Sequence, residues 1–299
     1  MTMNCSLLIT DLDNTLWDWF EIWRASFGAM LTEVARISSV PEDVLEREIR
    51  AVHQRQRTAE YAFVLEELPS LLAQHARNDI REIYKGAIQA RRTARHRECK
   101  LYDGVRSTLE SVRASGALIV GYTESMAFYT SDRLRRTGLD DLIDVLYSSP
   151  DHDLPGGVSP SELRRHPPEY YRYRRTVHRH TPSGSMKPNA EILLSIISDM
   201  RQTTQGSVYV GDSLMKDVAM AQQAGVTDVW ARYGESHGKH EYEQLRRVTF
   251  WTAEDVERER ALTAKDVRPT HIINRFRDLH SLFVFGTPSG GRDLAHVHN

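Results

Sequence analysis

Two aspartates stand one residue apart at the end of a short apolar run, in Leu7-Leu8-Ile9-Thr10-Asp11-Leu12-Asp13-Asn14-Thr15. On an extended segment such a pair points the same way, because side chains alternate with period two. Like charges that close raise each other's proton affinity, so the pair calls for a cation, a shared proton or wide solvation. Alone it also fits a plain strand-end turn, with Asp13-Asn14-Thr15 opening a helix. Further groups tip the balance. Thr123 follows an apolar run at 117–122, and Lys187 precedes Pro188 and a helical stretch. Asp212 and Asp217 lie in Gly211-Asp212-Ser213-Leu214-Met215-Lys216-Asp217, after Val208-Tyr209-Val210. Clustered carboxylates suit Mg²⁺, which takes a few protein oxygens and keeps waters for the rest. A lysine with a hydroxyl and exposed strand-end amides suits a phosphate dianion. A metal, an anion clamp and a carboxylate free to attack together describe phosphoryl transfer.

For these groups to meet, the segments carrying them must belong to one sheet. Strand-like runs occur at 7–9, 117–122, 142–147, 207–210, 228–231 and 270–273, with helical stretches between them. The stretch from Val105 stops at Gly116 and another at Gly225, as helix C-termini prefer. Such alternation predicts an α/β fold with a Rossmann-like, doubly wound parallel sheet. In such sheets the C-terminal strand ends converge on one crevice. Residues 17–97 are helical in pattern and rich in Arg, Glu, Ala and Leu, enough for about four helices in a small inserted bundle. Pro41 with Glu42 and Asp43 suits a first helical turn. The expected division is a core of 1–16 and 101–290, a helical domain at 17–100, a loop insertion at 150–184 and a frayed tail at 286–299.

The chain has 299 residues, 27% of them charged, and a formal net charge of −2. That charge argues against non-specific nucleic-acid binding by the whole molecule. No apolar run has the length of a membrane span, and the N-terminus lacks a secretory pattern. Cys5 and Cys99 lie far apart with no metal or redox spacing, so a reduced, cytoplasmic protein is expected.

The four motifs in order resemble those of the haloacid dehalogenase-like (HAD) hydrolase superfamily, across roughly residues 5–290. The resemblance implies that Asp11 is the nucleophile of an aspartyl-phosphate intermediate and that Asp13 is the acid and base. It implies Mg²⁺ held by Asp11, the Asp13 main-chain carbonyl, Asp212 and Asp217. Thr123, Glu124 and Lys187 fall at the phosphate-binding positions. Glu124 departs from the family pattern, where a small or amide residue is common; a carboxylate there either repels an anionic substrate body or binds a hydroxyl. An acid at position 13 points to a phosphatase or phosphotransferase, since the family's dehalogenases lack it. The inserted helices resemble the family's small helical cap, with Trp17 and Phe20 as candidates to line a substrate pocket.

The expected activity is therefore Mg²⁺-dependent hydrolysis of a small phosphorylated metabolite. A phosphomutase sharing the intermediate is the nearest alternative. From a different class stands a binding protein on the same scaffold. The stretch 150–184 motivates it, with Arg164, Arg165, Arg172, Arg174, Arg175 and Arg179 among Tyr170, Tyr171 and Tyr173. Arginine and tyrosine together can grip nucleic acid by charge and stacking; a solvated loop at the edge of the crevice accounts for them as well.

Overall fold

The computed structural model describes residues 3–154, 159, 166–236, 238–254, 257 and 267–287. The strands are β1 (Met3–Cys5), β2 (Leu7–Thr10), β3 (Leu118–Met126), β4 (Val145–Ser149), β5 (Val177–His180), β6 (Ser207–Gly211), β7 (Thr227–Ala231), β8 (His271–Ile273) and β9 (Phe283–Phe285). Seven form one parallel sheet in the order β5-β4-β3-β2-β6-β7-β8, and β1 pairs with β9 in a separate parallel ribbon. Strand β2 is central: Leu7 lies opposite Leu118 of β3 on one side and Ser207 of β6 on the other. The chain winds outward through β3, β4 and β5, then returns across β2 to β6, β7 and β8. That reversal is the switch point at which doubly wound sheets form their ligand crevice.

Burial explains why these runs are strands. Every residue of β2 and of β6 is buried, as expected of parallel strands covered on both faces. Leu7, Ile9, Val120, Tyr122, Val145 and Tyr209 pack against Leu193, Ile196 and Ile197 of the helix Ala190–Asp199. Each buried aliphatic contributes about 1.5–3 kcal/mol relative to exposure. Three strands escape the sequence pattern. Strand β5 falls in the stretch expected to be irregular, and β1 and β9 were not anticipated. Strand β3 also runs on past the expected end at 122, through Thr123 and Glu124, with a register shift between Tyr122 and Met126.

The chain divides into two compact units. One comprises Met1–Trp17, Leu101–Glu235 and Ala264–Asn299 and holds the sheets; the other comprises Asp18–Lys100 and Ser236–Thr263. The second unit is helical, built on Trp19–Ser38, Glu42–Gln56, Arg77–Ile83, Lys85–Glu98 and Tyr242–Val248. Its first helix is capped by the Asp18 carboxylate, which accepts the Glu21 amide. Its buried face carries Trp23, Phe27, Met30, Leu31 and Val34 at helical spacing.

The segment 236–263 is expected with the sheet, whereas the described residues Tyr242–Val248 pack with the helices. The Phe20 and Tyr242 rings are 5.2 Å apart, Glu46 accepts from Gln244 and Arg247, and His53 Nδ1 lies 2.7 Å from the Val248 carbonyl. Burial lowers the His53 pKa to about 4, so the ring is neutral and donates through Nδ1. Among the described residues no helix is long and apolar enough to cross a membrane. The tail beyond 287 lies outside the described residues.

Candidate active site

Strand β2 ends in a tight turn that presents its two aspartates. The Leu12 carbonyl accepts the amides of both Thr15 and Leu16, and Asn14 within the turn adopts a left-handed conformation with φ of 60°. Asparagine tolerates this region better than most residues. A neighbouring turn presses on it: a Cβ at Gly234 would lie 1.9 Å from the Asn14 carbonyl oxygen, so only glycine fits there. Tyr233 next to it donates to the Thr15 carbonyl at 2.6 Å.

Asp11 is buried, and its carboxylate meets the lysine from a distant segment. Lys187 Nζ lies 2.6 Å from Asp11 Oδ1, 3.0 Å from Asp217 Oδ1 and 3.0 Å from the Tyr122 carbonyl. Its ammonium also sits over the rings of Tyr122 and Tyr209. Thr15 Oγ1 donates to Asp11 Oδ2 at 3.2 Å. Asp217 is held on both oxygens, by the Tyr209 hydroxyl at 2.9 Å and the Ser213 amide at 3.1 Å. It packs so closely on β6 that a Cβ at Gly211 would lie 2.3 Å from its Cγ. The segment expected as a helix from 216 opens as a π-helical turn, Leu214–Val218, where the Ser213 side chain accepts the Lys216 amide. That turn leaves a carboxylate oxygen of Asp217 within 4.8 Å of one on Asp212.

Asp11, Asp212 and Asp217 each place a carboxylate oxygen within 4.8 Å of the other two. Burial pushes the Asp11 carboxyl up to about 7; Lys187 works against the rise and Asp217 adds to it. Burial raises Asp212 well above the usual carboxylate range as well, with Asp11 and Asp217 contributing. Burial opposes the charge on Lys187, yet Asp11 and Asp217 outweigh it and hold the ammonium well above its ordinary value. Three carboxyl groups share one ammonium, and the raised proton affinities of Asp11 and Asp212 mean that full ionisation of this cluster of hard oxygen donors calls for further positive charge. A hard divalent cation fits that donor set.

Asp13 belongs to a second network. Its Oδ1 accepts the Trp17 indole N–H at 2.6 Å and Arg133 Nη1 at 3.3 Å, and its Oδ2 accepts the Ser125 hydroxyl. The structure thus gives the two aspartates separate partners. Arg133 and Ser125 were not anticipated from the sequence. Arg133 lies mid-helix in an arginine-rich segment, where only its place on the face shared with Ala127, Thr130 and Leu134 marked it as buried.

Several assigned positions do something other than expected. Both Glu124 oxygens are taken by protein groups: Oε1 accepts the Lys187 amide and Oε2 the Lys216 ammonium, each at 2.6 Å. Glu124 therefore ties the Lys187 loop to the turn after β6, where a phosphate-binding role had been assigned to it. Thr123 is buried at the end of β3, its hydroxyl accepting the Ser125 amide at 3.1 Å. Trp17 is fully buried and serves Asp13, and Phe20 is buried in the helical unit against Trp23 and Tyr242. Both rings are buried.

The three tyrosines of the insertion and three of its arginines find partners within the sheet unit. Tyr170, Tyr171 and Tyr173 surround the Arg135 guanidinium at 5.4 to 5.9 Å from their ring centres. Arg174, Arg175 and Arg179 pair with Asp141, Asp144 and Asp199. Arg164 and Arg165 lie outside the described residues.

A doubly wound parallel sheet with an acidic, lysine-bearing cluster at its switch point defines the architecture. Residues 8–155 match the family model described as haloacid dehalogenase-like hydrolase, and 185–279 match that described as HAD-hydrolase-like. The chain belongs to the HAD-like hydrolase superfamily and is a hydrolase of that family. No curated protein matches the sequence. Among solved structures, a 2-haloacid dehalogenase from Pseudomonas syringae is 20% identical with a TM-score of 0.53, covering 93% of this chain and 97% of that one. A HAD phosphatase from Thermococcus onnurineus is 16% identical with a TM-score of 0.50, covering 96% of this chain and all of that one. A Thermotoga maritima protein provisionally named a β-phosphoglucomutase is 17% identical with a TM-score of 0.51, covering 93% and 98%. At these identities the likeness is one of fold.

Proposed function

We propose that this chain is a Mg²⁺-dependent phosphomonoester hydrolase that acts through an aspartyl-phosphate on a small phosphorylated metabolite. The observation that carries the reading is the pairing of the two aspartates with different cations, Asp11 with Lys187 and Asp13 with Arg133. One carboxylate is set up to attack, the other to move a proton. The named neighbours span dehalogenase, mutase and phosphatase, and Asp13 favours the phosphoryl-transfer members, because a halide leaves without a proton whereas an alkoxide needs one.

In this reading an Asp11 oxygen attacks phosphorus, the bond to the leaving oxygen breaks, and the Asp13 proton passes to that oxygen. Asp13 then takes a proton from water as the water oxygen attacks the aspartyl-phosphate, freeing inorganic phosphate and restoring Asp11. Lys187 keeps Asp11 in place and offsets charge on the transferring group where it accumulates. Thr123, at the end of β3, serves the same group. Asp11, the Asp13 carbonyl, Asp212 and Asp217 would hold Mg²⁺, which would supply positive charge beside the transferring group.

The test is phosphate release from p-nitrophenyl phosphate with added Mg²⁺. The wild type turns over and Asp11→Asn does not. Undiminished turnover by Asp11→Asn refutes the mechanism.

A further inference from the structure

We infer that Arg133 is a positioning residue for proton transfer, fixing the Asp13 carboxyl toward the leaving oxygen; the inference rests on the reading proposed above. Arg133 lies on the helix Ala127–Arg136, which begins where β3 ends. Helix side chains lean toward the N-terminus of their helix, so a long residue two turns in reaches back to the strand end. Arg133 does so with its side chain only 1% exposed and places Nη1 3.3 Å from Asp13 Oδ1. Its guanidinium also lies over the Tyr129 ring, 6.0 Å from the centroid.

A guanidinium this deeply buried is costly unless it is paired. Packing alone does not call for it. Ala127, Thr130 and Leu134 fill the same buried face, and an aliphatic residue at 133 would complete it without that cost. The charge reaches the Asp13 carboxylate, on which three elements converge. Trp17 comes from the turn after β2, Ser125 from the end of β3 and Arg133 from the following helix. Trp17 Nε1 and Arg133 Nη1 both hold Oδ1, which fixes the rotation of the carboxyl about its Cβ–Cγ bond. Asp11 is served separately, by Lys187 and Thr15. Disturbing Arg133 therefore touches proton transfer while leaving the attacking carboxylate its own partners.

The consequence is a change in leaving-group dependence. A nitrophenolate departs without a proton, whereas an alkoxide does not, so misplacing Asp13 penalises basic leaving groups most. kcat/KM is compared for p-nitrophenyl, phenyl and ethyl phosphate with added Mg²⁺. Arg133→Gln is expected to lose about 100-fold on ethyl phosphate and less than about tenfold on p-nitrophenyl phosphate, within the usual size of acid–base catalysis. Arg133→Lys recovers part of the difference. In an Asp13→Asn background, adding Arg133→Gln leaves the dependence unchanged, because the two residues act as one unit. Equal losses on all three substrates, or none, overturn the inference. Should Arg133→Gln not fold, Arg133→Lys carries the same comparison, and equal rates loss across the series there overturns it too. Turnover by Asp11→Asn would instead mark failure of the underlying mechanism, whatever Arg133 does.

Discussion

Replacing Asp11 by asparagine should make the metal-free protein more stable while silencing it. Burial raises the Asp11 pKa from 3.8 to about 7, even with Lys187 beside it. In the unfolded chain the group ionises freely near 3.8. Stability linked to this group is therefore fully present below pH 3.8 and lost as the pH rises through 7. The loss amounts to about 4 kcal/mol at pH 8 and about 1.5 kcal/mol at pH 5. Asparagine matches the shape and never ionises, so Asp11→Asn should exceed the wild type by those amounts. At pH 8 that corresponds to a melting-point gain on the order of 10 °C. Thermal and urea unfolding in the presence of a chelator, at pH 8 and pH 5, measures both values. Adding Mg²⁺ should raise the wild type at pH 8 and close most of the gap, because a bound cation stabilises the folded state alone. An Asp11→Asn variant that is less stable than the wild type at pH 8, or whose advantage ignores pH, would refute the argument. A stabilised but inactive variant also separates lost chemistry from lost fold.

Lys187→Met removes the ammonium from among Asp11, Asp212 and Asp217 and should destabilise the metal-free protein by about 3–5 kcal/mol, read by urea unfolding. Gly211→Ala puts a methyl group where Asp217 Cγ sits 2.3 Å away; Mg²⁺ affinity by titration calorimetry should fall about 10–100-fold, as it does when a ligand's support is disturbed. In the helical unit, burial lowers the His53 pKa from 6.5 to about 4. The unfolded ring takes its proton first, so stability present above pH 6.5 is lost on approach to pH 4, by about 3 kcal/mol. Far-UV circular dichroism during urea unfolding at pH 7 and pH 4 should show that loss, and His53→Gln should lessen it.

Much of the sheet was legible because its inner strands are apolar runs bounded by turns, and Asp11, Lys187, Asp212 and Asp217 meet at their ends as the alternation of strands and helices implied. Strand β5 was not legible. Val177-His178-Arg179-His180 sits at the sheet edge, where burial on both faces is not required and no apolar run is needed. The membership of 236–263 was hidden for another reason. His53 against Val248 and Glu46 against Arg247 are contacts between residues far apart in sequence, and a charged helical pattern does not say which surface it will cover. Glu124 was noticed as a departure from the family pattern, but its service to Lys187 and Lys216 depends on loops meeting in space. Arg133 was not singled out, because an arginine in an arginine-rich helix reads the same from sequence whether it is buried or exposed.

Both units are discontinuous in sequence, and this constrains how the chain becomes a protein. During synthesis β2 emerges early, yet Leu7 must wait for Leu118 on one side and for Ser207 on the other. The edge strand β8 comes later still, and β1 waits for β9. The helical unit likewise lacks Tyr242–Val248 until most of the core has been made. Contacts of such high sequence separation slow folding and leave apolar strands uncovered in the meantime. Neither unit can be cut out as one continuous fragment, so a nascent chain halted before residue 271 holds Asp11 at the end of a strand whose sheet is still incomplete.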